Sequence, residues 1–423
     1  MILYRGEICE DKELPRLLER LEADCLETIA GQTIDRETVV AACDALARRV
    51  EAGDYDSVLQ PFLTAFSIDP ARFREALFLF KREALSYKLA VELGSEDLPD
   101  LTPPGRAPIR RRRMPLGVLF HMAAGNVDGL PAYSVVEGLL AGNVNILKLP
   151  AQDRGASLLL LRELVRLEPR LQDVVYVFDV PSTDLQSLER FAKIADAVVV
   201  WGGDEAVRAA RALAGPDTAL ICWGHKLSFA YAVPPVSDGD LEALADHICA
   251  TGQLLCSSCQ GIFLDTGDMG EVYALAERLF PILQAAARRH PPTDPALRAR
   301  ATLELYAREL EADSGGRRIY RGGGVSVTAA PDSRLELGLL AGNCWVKPLP
   351  RDQIVPRLKP RKGYLQTAGL LCPEGERAAL SALLARAGVV RVTAPGDMSR
   401  TVPGEAHDGT YPLAAYTRVV EVS

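Results

Sequence analysis

The feature that most constrains the fold is a regular alternation of short apolar runs with helical patterns between residues 116 and 223. Strand and helix in this alternation predict right-handed crossovers and a parallel sheet that is covered by helices on both faces, so the expected fold class is α/β. The predicted strands cover 116–120, 144–149, 174–178, 197–201 and 219–223, and the predicted helices cover 132–141, 155–167, 185–194 and 205–214.

The residue patterns before and after this alternating segment predict other structures. From residue 11 to about residue 93, apolar residues recur at intervals of three and four, which predicts a helical N-terminal region. Pro, Gly and Asp at 98–105 interrupt helices and mark a boundary. After residue 226 the alternation repeats more loosely, which predicts a second α/β domain.

Composition excludes several classes of protein. The 423 residues carry a formal net charge of −8, so we expect no nucleic acid partner. Neither an N-terminal leader nor an uncharged apolar window of about 18 residues is present, so we expect a cytoplasmic protein that makes no membrane contact. The nine cysteines are odd in number and scattered, which indicates reduced thiols rather than a secreted disulfide framework.

One local run is strongly basic. Arg110-Arg111-Arg112-Arg113 precedes the first apolar strand of the core. It can be a solvated or ion-paired entrance to that strand, or a subsite for an anionic substrate, and the sequence leaves both possibilities open.

Three segments of the first α/β domain contain candidate binding residues. Asn126 follows the first predicted strand in a Gly-Asn turn; an amide donor of this kind can stabilise a developing oxyanion by about 3 to 4 kcal/mol, although Gly-Asn is also a common turn pair. Lys148 lies at the carboxyl end of a strand, where open α/β sheets bind ligands. Gly202 and Gly203 join a strand to a helix, where backbone N–H groups can receive a pyrophosphate.

A cysteine thiolate attacks acyl carbonyl groups readily and also leaves readily, so Cys256 is of a suitable residue type for a nucleophile. Cys256 and Cys259 form a Cys-x-x-Cys pair just after His247 and Cys249, so a metal site or a regulatory disulfide is an alternative. Since His247 and Cys249 lie two apart on a predicted helix, their side chains face apart, and we expect no metal.

Together these segments resemble the aldehyde dehydrogenase superfamily over roughly residues 105–423, and more closely its acyl-CoA reductase branch, the bacterial fatty acid reductases of the bioluminescence type. The run from Leu255 to Gln260 is similar to that branch's signature Ala-Cys-Ser-Ser-Pro-Gln, with Leu255 and Cys259 as departures. The resemblance implies an aldehyde dehydrogenase-like fold with a parallel-sheet cofactor domain and an α/β catalytic domain. It also implies functional roles: Cys256 as acylated nucleophile, Asn126 as oxyanion-hole amide, Lys148 as ligand of the adenosine ribose, and Gly202 with Gly203 as the cofactor turn.

Two departures from the superfamily pattern bear on the reaction. Aldehyde-oxidising members begin a Glu-Leu-Gly-Gly-Lys run with the glutamate that activates hydrolytic water, and Cys222 occupies the corresponding place here. Reduction of the acyl-cysteine can then prevail over hydrolysis, and His225 is either a replacement base or a turn residue. Members that prefer NAD often carry a glutamate three positions after the lysine; Ala151 stands there, which permits NADPH as well as NADH.

The sequence therefore predicts an NADPH-dependent acyl-CoA reductase that forms aldehydes through an acyl-cysteine. The alternatives are an aldehyde dehydrogenase that oxidises aldehydes and a metal-stabilised or non-catalytic interaction module. The expected partners are an acyl-CoA or acyl-carrier thioester, an acyl-protein synthetase and further copies of the chain as a homo-oligomer. The expected division is 1–104 as helical region, 105–225 as NAD(P)-binding domain, 226–395 as catalytic domain and 396–423 as C-terminal segment.

Overall fold

The computed structural model describes residues 1–31, 34–57, 59, 63, 77–123, 129–153, 155–291, 294–311 and 315–423. Contacts between Cα atoms divide the chain into two compact units. Unit 1 combines Met1–Gly224 with Val402–Ser423, and unit 2 is His225–Thr401. Residues 1–104 thus group with the segment expected to bind the cofactor, and the four-part division stays a prediction.

The strands of the described residues are, in chain order, β1 (Ile2–Tyr4), β2 (Glu7–Cys9), β3 (Asp97–Leu101), β4 (Ile109–Pro115), β5 (Val118–Met122), β6 (Val144–Lys148), β7 (Val175–Phe178), β8 (Ala197–Gly202), β9 (Ala219–Gly224), β10 (Leu227–Ala232), β11 (Cys259–Leu264), β12 (Arg318–Gly322), β13 (Val325–Ala329), β14 (Asn343–Pro348), β15 (Leu365–Leu371), β16 (Arg391–Thr393) and β17 (Thr417–Val422). The helices are α1 (Leu14–Gly31), α2 (Arg36–Ala52), α3 (Arg82–Glu92), α4 (Leu130–Leu140), α5 (Ala156–Leu167), α6 (Leu185–Ile194), α7 (Asp204–Leu213), α8 (Asp238–Thr251), α9 (Met269–Arg289), α10 (Pro295–Glu311), α11 (Ile354–Leu358), α12 (Glu374–Ala387) and α13 (Pro412–Ala415).

Unit 1 is built on a seven-stranded sheet in the order β2-β1-β7-β6-β5-β8-β9. Strands β5 to β9 pair in parallel, which confirms the α/β fold class. All five residues of β6 are buried, because a central strand of such a sheet has helices on both faces. A hairpin of β1 and β2, which the sequence did not predict, pairs antiparallel with β7 and extends the sheet.

A small antiparallel sheet in the order β17-β4-β3 contains the arginine run. Arg111 donates two hydrogen bonds to the Pro99 carbonyl, at 2.8 and 2.6 Å. Arg112 lies 3.5 Å from the carboxylates of both Glu96 and Asp97. These contacts favour the first of the two possibilities, an ion-paired strand.

Unit 2 contains a second seven-stranded sheet, in the order β12-β13-β14-β11-β10-β15-β16. Its pairings are parallel except that of β12 with β13. Strand β11 is central and begins at Cys259, so the segment before it places Cys256 at the amino-terminal edge of this sheet. None of the helices in the described ranges is long and apolar enough to cross a membrane.

Candidate active site

Cys256 lies on the loop that joins α8 to β11, residues 252–258, which we call the nucleophile loop. Gly252 ends α8 in the left-handed conformation with φ 56°, and Gln253 follows with φ 64°. A glycine is favoured at this position because a Cβ atom would be strained there. Helix and strand are thus joined by a short reversal whose tip carries the exposed Cys256 side chain.

A closed turn surrounds Cys256. The Leu255 N–H donates to Ser258 Oγ at 3.1 Å, and the Ser258 N–H donates to the Leu255 carbonyl at 2.9 Å. Ser258 is fully buried, whereas Leu254, Leu255 and Cys256 are exposed. The turn therefore presents Cys256 outward on a fixed backbone.

Gln253 holds one end of the nucleophile loop. Its side chain is 2% exposed, and its Nε2 donates to the carbonyls of Cys259 at 3.1 Å and Asn343 at 3.3 Å. Its Oε1 accepts from the Gly342 N–H at 3.1 Å. A single buried amide thus connects the nucleophile loop to the start of β14.

Gln260 holds the other end. Its Nε2 donates to the carbonyls of Gln253 at 3.1 Å and Ser258 at 3.2 Å, and its Oε1 accepts from the Gly338 N–H at 3.1 Å. The sequence analysis assigned no role to either glutamine, although Gln260 is part of the signature that identified Cys256. That signature was the signal that could have found it.

The second cysteine of the pair has a different environment. Cys259 is fully buried, its thiol donates to the Gly261 carbonyl at 3.2 Å, and burial raises the pKa of the thiol to about 12. It remains protonated at neutral pH, and no disulfide joins it to Cys256 in the structure. The two cysteines therefore have unequal chemistry.

His247 is buried in unit 2 and accepts a hydrogen bond from the residue that follows the nucleophile loop. Its Nε2 accepts a hydrogen bond from the Cys259 N–H at 3.2 Å, and burial lowers the pKa of the imidazole to about 4. The neutral ring is therefore engaged with the backbone. In the part of the chain that the structure describes, no three His, Cys, Asp or Glu side chains are grouped to hold a metal ion.

Lys148 lies at the carboxyl end of β6 in unit 1, as the sequence predicts. Its side chain is 7% exposed, its Nζ donates to Ser182 Oγ at 3.0 Å, and burial lowers the pKa of the ammonium group, while the charge of Asp179 raises it. A buried cation at a strand end suits a hydroxyl ligand, because it is already partly desolvated.

Gly202 ends β8, and Gly203 is the N-cap of α7. A Cβ atom on Gly202 would lie 2.9 Å from the Ala206 Cβ, whereas one on Gly203 would meet nothing within 4 Å. The space at Gly203 and the first N–H groups of α7 fit a phosphate. Asp204 and Glu205 in the first turn of α7 put negative charge near the same place, which weakens this fit.

A buried hydrogen-bond chain that the sequence analysis missed leads to this turn. Trp201 Nε1 donates to Ser134 Oγ at 3.0 Å, and Ser134 Oγ lies 2.8 Å from His121 Nδ1. His121 Nε2 lies 3.0 Å from the Asn145 Oδ1, which can only accept, so Nε2 carries the proton and the Ser134 hydroxyl donates to Nδ1. The chain fixes Trp201, the residue before Gly202, and burial lowers the pKa of His121 to about 4.

Three residues singled out in the sequence remain to be placed. Asn126 lies outside the described residues, in the interval between β5 and α4. Cys222, which the sequence resemblance assigns to the place of the glutamate of oxidising members, is a partly buried residue of the edge strand β9. His225, in unit 2, lies edge-on to the Tyr364 ring with 6.4 Å between centroids.

Solved structures that share this fold include aldehyde dehydrogenases. A benzaldehyde dehydrogenase from Corynebacterium glutamicum superposes with a TM-score of 0.70 at 12% identity, covering 97% of this chain and 90% of its own. An aldehyde dehydrogenase from Bartonella henselae gives 0.71 at 11% identity, covering 97% and 91%. The class is therefore an aldehyde dehydrogenase-like α/β protein.

Sequence comparison specifies the family. The model of the acyl-CoA reductase (LuxC) family matches residues 33–419, so this chain belongs to that family and is an oxidoreductase that acts on acyl thioesters. A long-chain acyl-protein thioester reductase from Aliivibrio fischeri is 25% identical over 82% of this chain and 72% of its own length. One from Photorhabdus luminescens is 27% identical over 71% of this chain and 63% of its own.

Proposed function

We propose that this protein reduces acyl thioesters to aldehydes through a thioester formed on Cys256, with NADPH as the source of hydride. The observation that carries the proposal is the exposed Cys256 side chain on a loop held by buried hydrogen bonds. Membership of the acyl-CoA reductase family supports the same reaction class. The nucleophile is therefore accessible while its backbone is fixed.

The chemistry at Cys256 has two halves. The thiolate attacks the carbonyl carbon of the acyl donor, a new C–S bond forms, and the donor's own C–S bond breaks as its thiolate leaves and takes up a proton. When bound, NADPH supplies the hydride that reduces the acyl-Cys256 carbonyl. The thiohemiacetal oxyanion that results on Cys256 collapses to aldehyde, the C–S bond breaks, and the Cys256 thiolate is returned.

Asn126 is proposed as the side-chain donor to the oxyanion, on the resemblance of its segment to the superfamily. A preorganised neutral donor of this kind contributes about 3 to 4 kcal/mol to the transition state. Lys148 is proposed to bind the adenosine ribose, supported by its buried position at the end of β6. Gly202 and Gly203 are proposed to face the pyrophosphate, supported by the open space at Gly203.

The acyl donor is proposed to be an acyl-CoA or an acyl group carried on a protein. The names of the relatives, long-chain acyl-protein thioester reductases, support a protein-borne donor, and with it an acyl-protein synthetase as partner. Action in the cytoplasm is part of the proposal, supported by the odd number and scattered positions of the cysteines in the sequence. Assembly as a homo-oligomer belongs to the same proposal.

The rival reaction is oxidation of aldehydes to acids. That reaction needs a base to activate water against the acyl-cysteine, and the corresponding position holds Cys222. A thiol in that place does not perform this role at neutral pH as a carboxylate does. Reduction is therefore the reaction that the residues favour.

Intact-mass analysis tests the proposal directly. Incubation of the full chain with decanoyl-CoA, without NADPH, is expected to add one decanoyl group, and Cys256→Ala is expected to abolish the adduct. Cys372→Ala is the matched control, because Cys372 is a partly buried cysteine of the same unit outside the nucleophile loop. Addition of NADPH is expected to remove the adduct and release decanal; an adduct that survives in Cys256→Ala would refute the assignment.

A further inference from the structure

Ser228, the second residue of β10, contacts the nucleophile's own backbone. Its side chain is fully buried, and its Oγ donates to the Cys256 carbonyl at 2.7 Å. The same oxygen accepts from the Thr367 N–H of β15 at 3.0 Å. Since a hydroxyl has one donor and two acceptor positions, both bonds form together, and Ser228 connects the Cys256 carbonyl to the centre of the sheet.

An irregularity in β10 accounts for this position. The register of β10 shifts against β11 between Ser228 and Ala230, and against β15 between Leu227 and Phe229. At such a bulge the backbone pairing is interrupted and a side chain is re-aimed. The hydroxyl of Ser228 supplies the Thr367 N–H with its acceptor and extends toward the nucleophile loop.

The bond from Ser228 fixes an entire peptide plane. The Cys256–Ser257 peptide is trans, so its N–H is antiparallel to its carbonyl. Because the carbonyl points to a buried hydroxyl, the Ser257 N–H points away from it. Among the described residues this N–H meets no acceptor, and Ser257 is otherwise bonded through its hydroxyl to Ser399 Oγ at 2.8 Å.

We propose that Ser228 is a positioning residue for acyl transfer. It holds the Cys256–Ser257 peptide so that the Ser257 N–H donates to the carbonyl oxygen of the thioester that Cys256 attacks. The attack places negative charge on that oxygen until the donor's C–S bond breaks, and a fixed donor stabilises it. The inference rests on the proposed function, since it concerns the same thioester chemistry.

Two reactions of the same thiol separate this role from a merely structural one. Acylation by decanoyl-CoA develops an oxyanion, whereas alkylation by iodoacetamide displaces iodide and develops none. Loss of an oxyanion donor costs about 10²- to 10³-fold in rate. Ser228→Ala leaves the donor in place but no longer oriented, so we expect acylation to slow by about 10- to 100-fold and alkylation by less than about 2-fold.

The experiment follows both rates by intact mass in the wild type, Ser228→Ala and Ser228→Thr. Threonine keeps the hydroxyl, so we expect it to restore most of the acylation rate. Equal slowing of both reactions, or no slowing of either, overturns the positioning role. If Ser228→Ala does not fold, Ser228→Cys is read in the same way, because a thiol has similar size and is a poor hydrogen-bond partner. A wild type that is alkylated but never acylated refutes the proposed function itself.

Discussion

The two thiols of the Cys-x-x-Cys pair differ in their exposure to solvent. Cys256 is exposed, whereas Cys259 is buried and its pKa is raised to about 12 by that burial. We expect brief treatment with iodoacetamide at pH 8 to modify Cys256 and leave Cys259 intact, as measured by peptide mass mapping. Comparable labelling of both would show that the loop opens far enough for a disulfide to form between them.

Two buried histidines make stability depend on pH. Burial lowers the pKa of His121 in unit 1 and of His247 in unit 2 to about 4. Above pH 6.5 both are neutral in the folded and unfolded chain; below it the unfolded chain binds protons that the folded one excludes. As pH falls from 6.5 to 4, each histidine therefore lowers the free energy of unfolding by up to about 1.4 kcal/mol per pH unit, which amounts to about 3 kcal/mol for each histidine.

The substitution His247→Gln isolates one of these contributions. Glutamine can still accept the Cys259 N–H but takes up no proton. We expect urea titrations to show a shallower loss of unfolding free energy than in the wild type between pH 6.5 and 4, and little change in slope above pH 7. An unchanged slope below pH 6.5 would mean that His247 does not carry the dependence.

At the scale of elements, β11 and β14 approach closely beside the nucleophile loop. Gly261 pairs with Trp345, and a Cβ atom on Gly261 would lie 2.1 Å from the Trp345 ring. We expect Gly261→Ala to destabilise the protein by about 3 kcal/mol or more, since overpacking forces a rigid ring to shift. The measurement is urea unfolding followed by tryptophan emission.

Gly375→Ala is the matched control in the same unit. Gly375 lies in the first turn of α12, and a Cβ atom there meets nothing within 4 Å. We expect no loss and a gain of up to about 1 kcal/mol from the better helix propensity of alanine. If Gly261→Ala is as stable as this control, the Trp345 ring can move away from the added methyl group at little cost, and the expected overpacking between β11 and β14 is wrong.

The parallel sheet of unit 1 could be predicted from the sequence to within two residues at each boundary, and the helix at 185–194 matches α6 at both ends. Buried strands are continuous apolar runs, and the helices between them show a clear periodicity. Strand β4 gives no such signal, because it reads Ile-Arg-Arg-Arg-Arg-Met-Pro. Its partner β17 is also far away in the sequence, beyond the reach of local patterns.

The same limit applies to the site. The sequence singles out Cys256 as a candidate because its residue type and its neighbours match the signature, and its catalytic role stays a prediction. Gln253, Gln260 and Ser228 act through bonds to backbone groups of distant segments, at Gly342, Gly338 and Thr367. Backbone N–H groups are the same for every residue type, so no sequence pattern marks them as partners.

The run Gly-Leu-Leu-Ala-Gly-Asn occurs twice, at 138–143 and at 338–343, and both copies lead into a buried strand. Gly142 and Gly342 are left-handed, with φ 87° and 83°, and the asparagine after each introduces a buried strand. Only the first copy ends a helix. The second belongs to the segment that bonds Gln253 and Gln260, and through these bonds it supports the nucleophile loop.

At the scale of the whole molecule, the C-terminal segment completes unit 1. Strand β17 pairs with β4 from Thr417 to Val422, and the Leu413 N–H donates to the buried Glu92 carboxylate at 2.8 Å. His407 packs against the rings of Trp201 and Trp223, with centroids 4.8 and 5.1 Å apart. The segment is therefore part of the core rather than an appendage.

Deletion of residues 402–423 tests this role. In a Trp345→Phe background the remaining tryptophans, Trp201 and Trp223, both belong to unit 1. We expect the deletion to shift their emission to the red, because Trp223 is only 4% exposed in the intact chain, and to lower the melting temperature of unit 1. The control is the same deletion in a Trp201→Phe, Trp223→Phe background, in which Trp345 of unit 2 is the sole tryptophan, and we expect its emission to be unchanged. A red shift of Trp345 would mean that the deletion also unfolds unit 2.

The division of unit 1 into two separated parts has a consequence during synthesis. Strand β4 is complete at Pro115, but β17 begins at Thr417, roughly 300 residues later, which a ribosome takes about 15 to 60 s to add. For that time one edge of β4 has no partner strand, and an open edge invites pairing with other chains. Four consecutive arginines on β4 are expected to repel the same strand of a neighbouring nascent chain. The arginine run, which forms hydrogen bonds and ion pairs in the complete protein, therefore also disfavours pairing between incomplete chains.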